Sequence, residues 1–547
     1  MFRRIFSSII NRMSQAGAPV IRSIILIGRR LHLPQYCLKP LELMCFHKKV
    51  LTLAKTFSTN FSWREYISLL QPPTAEDTYT QQVTILTLVG LPHVARLTDV
   101  PYNKLCTRRT DGWTVPIEEV VERLILQPPD GKSASVMLPG THKNSLFFVW
   151  FANYFIHLFL RTSASDRTKQ VYGTLRPSLL YGSCPAEQED IRTYNRGKVH
   201  LEDGFAPTLA YLAQVNGRIF EGNNAFPSLV NVHVGLVVVH TLLLREHNRL
   251  CDILFTTYPH YTDERIFDLA RYGITNILLH IVRTEYITQL DSPFSPPTSS
   301  YAMGPNLLTR VLKTRLSPEV PSAISVEYLM TYVFHAGVPK SIDIDGYAPI
   351  NTADTLRNII PALDQFGNRQ TCLAKLIAHG LSTPVHSLSS LYSTPRFMRH
   401  AEMAIMKTQA ASCCVAYNDA REQLGLRRYV SFGDLCPDSA TVEILESIYP
   451  SVDHIDFYTG IVIGNTFSSN PPLGDVARAV IASLAQGILP VQHGVIQSML
   501  PPVLHAEVRQ SRERGFLSCL LNQHLPIHLQ VPEHWSFSPL VRGVVNT

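Results

Sequence analysis

Tyr332 and His335 are a pair of residues whose types and spacing could support redox chemistry at a metal. Residues three apart on a helix point the same way, so a tyrosine there would lie near a metal bound by the histidine. A histidine can bind a metal through one ring nitrogen while a hydrogen bond to the other fixes the ring. This pattern is common by chance, so the pair alone indicates no function.

A second polar pair, Asn153 and His157, lies in a long apolar stretch. Residues four apart on a helix share one face. Because buried polar groups need hydrogen-bond partners, the pair is either a satisfied part of the core or a polar cluster that faces a cofactor. The residues alone leave both interpretations open.

A dense charged run, Leu244-Arg-Glu-His-Asn-Arg-Leu-Cys-Asp252, occurs in a segment otherwise rich in leucine and valine. Burying such charges is costly unless they are paired. The run therefore forms a structural ion-pair network or steadies the surroundings of a cofactor.

Helical periodicity predicts the elements that must position these residues, and strand signals are few. We expect a mainly α fold. The helix at Ser325–His335 would place Tyr332 and His335 on one face and stop near Gly337 and Pro339. The other predicted helices span 118–126, 144–161, 232–255, 263–290, 354–366, 399–424, 440–449 and 474–487.

Composition narrows the class of protein. The chain has 547 residues, of which 45% are apolar and 17% charged, so it is long and apolar enough to bury a large core. A net charge of +6 is too weak and too dispersed to indicate nucleic-acid binding. The ten cysteines form neither a C-x-x-C pair nor a cluster with histidine, which argues against a zinc site and leaves the redox compartment open.

The N-terminal segment is basic, with no acidic residue before Glu42. Its apolar piece, Ser23 to Gly28, is too short for a secretory signal or a spanning helix. Residues 1–40 are a basic amphipathic membrane-surface segment, a transit-type leader or a disordered arm. The next stretch, to residue 100, favours short amphipathic helices that lie in one leaflet of a membrane or pack on a core.

Several separated motifs together resemble the prostaglandin endoperoxide synthase branch of the animal haem peroxidase superfamily. The charged run at 244–252 resembles the central helix signature of that superfamily, and the similarity covers roughly residues 85–490. Further motifs agree in order and spacing at 120–126, 151–162, 284–290, 332–335, 417–432 and 448–458.

The resemblance implies one haem b per chain, held between two histidines. It implies that His335 is the proximal iron ligand and that Tyr458 supports it. His157 matches the distal histidine, which moves a proton between the peroxide oxygens, and Asn153 stands where the family has glutamine. Residues 101–547 would then be the catalytic domain, with 1–40 a basic segment and 41–100 membrane-binding helices.

Tyr332 matches the tyrosine that carries the catalytic radical, and Tyr286 matches a tyrosine that hydrogen-bonds to it. The implied reaction is dioxygenation of an arachidonate-like polyunsaturated fatty acid, with O2 and peroxide as further reactants. A homodimer and association with the endoplasmic reticulum or another intracellular membrane are also expected from the resemblance and the N-terminal pattern.

The implied substrate channel departs from the family. Arg96 lies near the position of the arginine that pairs with the substrate carboxylate, but its spacing to the following motif is shorter. Pro293 replaces a tyrosine at the channel mouth, and Arg478 replaces a channel serine. The last 45 residues or so do not follow the family. Two alternatives therefore stay open, a haem peroxidase without oxygenase activity and a non-catalytic membrane-associated protein on the same scaffold.

Overall fold

The computed structural model describes the main part of the chain in separate stretches, all within the larger of two compact units, Arg96–Ser317 with Ala323–Thr547. The described residues are 99–101, 106, 114–129, 144–159, 169–171, 178–181, 191–201, 233–290, 325–355, 359–385, 387–468, 472–481, 500–526 and 529–540. The predicted basic segment lies outside them, as does the predicted membrane-binding stretch except for its last two residues, which belong to a strand. Both stay predictions.

The described part of the chain is mainly helical, as the sequence predicts. In chain order the helices are α1 (Ile117–Val120), α2 (Leu146–Phe159), α3 (Ser178–Tyr181), α4 (Val234–Thr257), α5 (Asp263–His280), α6 (Ile287–Leu290), α7 (Val326–Thr331), α8 (Thr352–Thr355), α9 (Ile360–Asp364), α10 (Arg369–Ser382), α11 (Arg399–Ala411), α12 (Tyr417–Gln423), α13 (Phe432–Leu435), α14 (Ser439–Ile448), α15 (Phe457–Thr466), α16 (475–481), α17 (Pro502–Arg514) and α18 (Phe516–His524).

The described strands are short and form two antiparallel pairs. Strand β1 (Asp99–Pro101) pairs with β2 (Lys169–Val171), and β3 (Ser341–Ile342) pairs with β4 (Ile350–Asn351). Two-stranded sheets this small position loops and do not build a core.

The core is built around α2, which packs against α4 and α10. Trp150 of α2 is fully buried and lies against Gly235 of α4 and Gly380 of α10. A Cβ at either glycine would lie 2.2 or 2.4 Å from the indole ring. The missing side chains therefore let two helices close on the tryptophan.

The predicted helix at 263–290 is confirmed as one continuous helical run, but its hydrogen bonding changes along the way. After α5, residues Ile281–Tyr286 are π-helical before α6 begins. The wider π turn inserts an extra residue per turn and so changes which side chains face the core. Tyr286, at the end of this turn, is fully buried.

The predicted helix at 325–335 is wrong at its C-terminal end. Helix α7 stops at Thr331, Tyr332 is its C-terminal cap, and His335 begins a separate 3-10 turn, His335–Gly337. The backbone leaves the helical region at Tyr332 and again at Phe334 (φ −103°, ψ 38°). Tyr332 and His335 therefore do not share a helix face, and their side chains point into different surroundings.

The predicted helix at 399–424 is also interrupted. Helices α11 and α12 are separated by a short connection in which Cys413 has a positive φ of 50°. A non-glycine residue in this conformation breaks the helical path. Tyr417, at the start of α12, packs into a groove of α15 formed by Gly460 and Gly464.

Among the described helices, none is long and apolar enough to cross a membrane.

Candidate haem site

His335 lies at the start of the 3-10 turn, with its side chain 20% exposed. Its Nδ1 is 3.0 Å from Oε1 of Glu402 on α11. A carboxylate only accepts hydrogen bonds, so this contact places the ring hydrogen on Nδ1 and leaves a lone pair on Nε2. No described residue hydrogen-bonds to Nε2, which is the arrangement that a metal-binding histidine needs.

Glu402 is completely buried and holds three polar groups together. Besides His335, the hydroxyl of Tyr458 donates to Oε2 at 2.8 Å, and the hydroxyl of Thr394 approaches Oε1 at 3.3 Å. All three contacts use Glu402 as the acceptor, the role of a carboxylate. Glu402 therefore fixes both the ring orientation and the tautomer of His335.

The position of Tyr458 refines its expected role. The resemblance implies a tyrosine that supports the proximal histidine, and in the structure Tyr458 of α15 reaches Glu402, which in turn binds His335. The support is therefore indirect. Glu402 was not among the predicted site residues, because it lies 67 residues after His335 on a different helix with no local motif to mark it.

Tyr332 is buried in a cluster of aromatic side chains. Its ring centroid lies 4.8 Å from that of Tyr328 and 6.3 Å from that of Tyr286. None of these three buried hydroxyls makes a hydrogen bond of normal geometry. Tyr286 was the predicted neighbour of Tyr332, whereas Tyr328, whose ring lies nearer, was not predicted.

Burial raises the pKa of the Tyr332 phenol above its usual value, and the neighbouring hydroxyls of Tyr286 and Tyr328 counteract part of that shift. The pKa values of Tyr286 and Tyr328 are raised further, first by burial and then by Tyr332 itself. All three phenols are therefore protonated at neutral pH. Of the three phenols, Tyr332 is the one whose pKa its neighbours lower and whose ionised form they therefore favour.

Helix α2 passes beside both Tyr332 and the 3-10 turn. Its Phe155 ring lies 6.1 Å from the Tyr332 ring, and its Val149 lies against Gly337, where a Cβ would come within 2.9 Å. Asn153 and His157 follow Val149 at intervals of four residues, so the three lie along one side of the helix. Helical periodicity thus puts Asn153 and His157 on the side of α2 whose Val149 contacts the turn of His335.

Partial exposure makes a few polar side chains of this region accessible to a ligand. Residues 144–158 are buried except Asn153, Ile156 and His157, which are partly exposed, as is His335. An almost wholly apolar helix normally buries its full circumference. His335, with Nδ1 held by a carboxylate and Nε2 without a hydrogen bond to a described residue, is suited to bind a haem iron, so the residues present fit haem.

Of the residues predicted to line a substrate channel, the structure describes the contacts of Arg478. Arg478 on α16 forms an ion pair with Asp475, one turn earlier, and its side chain is 13% exposed. Arg96 and Pro293 lie outside the described residues. The predicted roles of Arg96 and Arg478 in a substrate channel stay predictions.

The charged run on α4 forms a structural network. Glu246 pairs with Arg249 and His524, and Arg249 also pairs with Glu507, which ties α4 to α17 and α18. His247 lies between the Tyr181 hydroxyl, at 2.9 Å, and the carbonyl of Gly197, at 3.0 Å. Of the two interpretations left open by the sequence, the contacts support the ion-pair network.

Comparison with known proteins identifies the family of the chain. The family model described as animal haem peroxidase matches residues 163–400 and 411–487, together more than half of the chain. The chain belongs to the animal haem peroxidase family. Tyr332, His335, Tyr458 and Arg478 lie within the matched segments, whereas Asn153, His157 and Glu402 lie outside them.

Curated relatives of this animal haem peroxidase include prostaglandin G/H synthases. Synthase 1 from Oryctolagus cuniculus is 25% identical over 348 residues, 60% of this chain and 53% of the relative, and that from Canis lupus familiaris is 26% identical over 356 residues, with the same coverage. Synthase 2 from Oryctolagus cuniculus is 23% identical over 63% of this chain and 56% of its own length. The chain thus spans little more than half the length of these relatives.

Solved structures share the fold at lower identity. Peroxidase A from Dictyostelium discoideum superimposes with a TM-score of 0.56 at 16% identity, covering 83% of this chain and 95% of its own. Oryza sativa fatty acid alpha-dioxygenase superimposes with a TM-score of 0.57 at 13% identity, covering 90% and 99%. The recognised family and the mainly α fold class are therefore confirmed.

Proposed function

We propose that this animal haem peroxidase is a haem-dependent oxygenase of a polyunsaturated fatty acid, working through a radical on Tyr332. One observation carries the proposal. Tyr332 is buried among phenols three residues before His335, whose Nδ1 is held by Glu402 and whose Nε2 has no hydrogen bond to a described residue. This arrangement combines a candidate iron ligand with a candidate radical-bearing side chain.

Haem bound at His335 would supply the one-electron oxidising power that removes an electron and a proton from the Tyr332 phenol in the presence of peroxide. The resulting tyrosyl oxygen takes a hydrogen atom from a carbon of the fatty acid, which regenerates the phenol. Dioxygen adds to the carbon radical, and the peroxyl radical takes the hydrogen atom back from Tyr332. The hydroperoxide leaves, and the tyrosyl radical is ready for the next turnover.

His157 and Asn153 are the residues that would act on the peroxide. His157 would move a proton between the two peroxide oxygens as general acid and base. Asn153 would stabilise the oxygen that becomes negative, although its side chain is one methylene shorter than the glutamine of the family. Their shared side of α2 and partial exposure support this assignment.

The relatives support a fatty acid as substrate. Solved structures with this fold include the alpha-dioxygenase of Oryza sativa bound to palmitic acid, with a TM-score of 0.56 at 12% identity. Curated relatives are named prostaglandin G/H synthases. Palmitate is saturated and arachidonate is polyunsaturated, so testing both acids shows which class of fatty acid the protein oxygenates.

The first experiment loads the full chain with haem and compares the absorbance spectra of wild type and His335→Ala. We expect a Soret band that His335→Ala shifts or abolishes. Oxygen uptake is then followed with arachidonate and, separately, with palmitate in the presence of a trace of peroxide. We expect uptake with arachidonate that Tyr332→Phe removes. Absence of uptake in the haem-loaded wild type, or undiminished uptake in Tyr332→Phe, contradicts the oxygenase proposal.

A second candidate is a haem peroxidase that oxidises small phenols without oxygenating fatty acids. Arg478 at a predicted channel position favours it, and Peroxidase A of Dictyostelium discoideum shares the fold. Oxidation of a phenol by peroxide, lost in His157→Ala but unchanged in Tyr332→Phe and unaccompanied by oxygen uptake, would select this alternative.

A further inference from the structure

We infer that Glu402 is the anionic partner that makes His335 a strongly electron-donating iron ligand and thereby lowers the reduction potential of the haem. This inference rests on the proposed binding of haem at His335. It assigns Glu402 a positioning and tuning role for which the sequence gives no signal, on a residue outside the segments that match the family.

Geometry carries the inference. Oε1 of Glu402 lies 3.0 Å from Nδ1 of His335, the ring nitrogen opposite the one available for iron. Glu402 is fully buried, so water does not compete for the carboxylate. A charge-assisted hydrogen bond in such surroundings is stronger than the same bond at a surface.

The physical consequence follows from the charge. A carboxylate that accepts the Nδ1 hydrogen draws it away from the ring and leaves more electron density on Nε2, which raises the basicity of the ligand. A more basic ligand stabilises ferric iron over ferrous iron. The protein thus favours the ferric state, which is the state in which the iron would react with peroxide.

Two further donors limit the effect. Tyr458 donates to Oε2 at 2.8 Å, and Thr394 approaches Oε1 at 3.3 Å. Each hydrogen bond withdraws charge from the carboxylate and weakens its pull on the His335 hydrogen. The three donors therefore set the electron donation of His335 at an intermediate level, which variants can move in either direction.

The test measures the ferric/ferrous reduction potential of the haem-loaded full chain and the iron–histidine stretching frequency of its ferrous form by resonance Raman spectroscopy. Glu402→Gln keeps the size and an acceptor oxygen but removes the charge. We expect the reduction equilibrium to shift on the order of tenfold toward ferrous iron, about 59 mV for a one-electron couple, and the stretching frequency to fall.

Tyr458→Phe is the matched variant, because it removes a hydroxyl that competes with His335 and keeps the carboxylate. We expect the opposite shift, toward ferric iron and a higher stretching frequency. If Glu402 acted through packing alone, the two substitutions would not shift the reduction equilibrium in opposite directions. If Glu402→Gln does not fold, the direction in which Tyr458→Phe shifts the reduction potential tests the role of Glu402 by itself.

Unchanged potential and frequency in folded, haem-loaded Glu402→Gln, or a Tyr458→Phe shift toward ferrous iron, would overturn the inference while leaving haem binding intact. Failure of the proposed haem binding at His335 looks different, and loss of oxygen uptake alone does not touch the inference. In that case the wild type shows no iron–histidine band, or the band survives in His335→Ala, and the role of Glu402 is rejected together with the haem site.

Discussion

The hydroxyl of Tyr328 is buried beside Tyr332 without a hydrogen bond of normal geometry. Leaving a buried hydroxyl unsatisfied costs on the order of 1–3 kcal/mol, whereas an apolar group of the same shape is neutral or stabilising. Because the Tyr328 hydroxyl contributes little to stability, its expected effect is on the neighbouring Tyr332, whose ring centroid lies 4.8 Å away.

Tyr328→Phe should therefore separate stability from activity. We expect an unchanged or higher midpoint of thermal unfolding, because only the unsatisfied hydroxyl is lost, together with a lower rate of oxygen uptake. The reason is that the Tyr328 hydroxyl is one of the two groups that offset the raised pKa of Tyr332. Both quantities are measured on the haem-loaded protein.

Tyr272→Phe is the matched control, since the Tyr272 hydroxyl is also buried without a hydrogen bond of normal geometry but lies on α5 beside Arg271. We expect it to leave oxygen uptake unchanged. Equal oxygen uptake in wild type and Tyr328→Phe would show that the phenol has no influence on Tyr332.

Residues in a local motif were predictable from the sequence, whereas one that acts through a tertiary contact was not. Tyr332, His335 and Tyr458 belong to segments whose order and spacing resemble a family. Tyr328 precedes Tyr332 by four residues at the end of α7, so helical spacing was a signal that could have indicated it as a neighbour. Glu402 carries no such pattern, because its proximity to His335 depends on how α11 packs and is not encoded in a short stretch of residues.

At the scale of helices, glycines decide how closely the core elements approach. A Cβ at Gly235 or Gly380 would collide with the Trp150 ring, and a Cβ at Gly460 would lie 2.0 Å from the ring of Tyr417. Since interiors are packed to crystal-like density, neither buried ring has room to withdraw without displacing its own neighbours.

Gly380→Ala should destabilise the protein by about 1–3 kcal/mol, the usual effect of overpacking a core. The helical preference of alanine favours the substitution by only about 1 kcal/mol, so the collision with Trp150 decides the sign. Urea unfolding followed by circular dichroism measures the change.

Gly433→Ala on α13 is the control, because the nearest atom to its added Cβ would be 3.9 Å away. There the helical preference acts alone, and we expect unchanged or slightly increased stability. Equal effects of Gly380→Ala and Gly433→Ala would mean that the helices beside Trp150 are free to move apart.

The presence of a helix was predictable where hydrophobic periodicity was sustained. The positions of the helix ends were not predictable. The expected helices at 144–161, 232–255 and 440–449 correspond to α2, α4 and α14 within a few residues. Those at 325–335 and 399–424 are interrupted, because a local change of backbone conformation at Tyr332 or Cys413 leaves the hydrophobic pattern intact. Hydrophobic periodicity therefore predicted which segments are helical. It could not predict the position of Tyr332 relative to His335.

The C-terminal region shows a different limit. Its sequence does not follow the family, yet Phe537 is fully buried with its ring centroid 5.3 Å from that of Phe148 and 6.2 Å from that of Tyr286. Phe537 reaches this position with a positive φ of 61°. Hydrophobic periodicity in the sequence cannot predict such long-range packing by a residue with a strained backbone.

At the scale of the whole molecule, one buried carboxylate joins the C-terminal helices to the centre of the fold. Glu246 of α4 contacts Arg249 on its own helix and His524 of α18, and Arg249 continues to Glu507 of α17. Burial acts to raise the pKa of Glu246, but the hydrogen bonds and charges of Arg249 and His524 prevail and lower it to about 2.

Acid should therefore weaken the attachment of α17 and α18 to α4. Because the pKa of Glu246 is lower in the folded protein than its usual value of 4.5, its ionised form contributes stability that is present above that value. A shift of this size corresponds to about 3 kcal/mol. This contribution is lost as the pH falls from 4.5 through about 2.

Comparison of urea unfolding for wild type and Glu246→Gln across this range isolates the contribution from that of the other acids. We expect wild type to be more stable at neutral pH and the difference to shrink as the pH falls. Glu533→Gln provides the control, because its ion pair with Arg514 is half exposed and should contribute no more than about 1 kcal/mol. A difference between wild type and Glu246→Gln that stays constant with pH would show that Glu246 binds its proton equally in the folded and unfolded chains, and that the link between α4 and the C-terminal helices depends on packing alone.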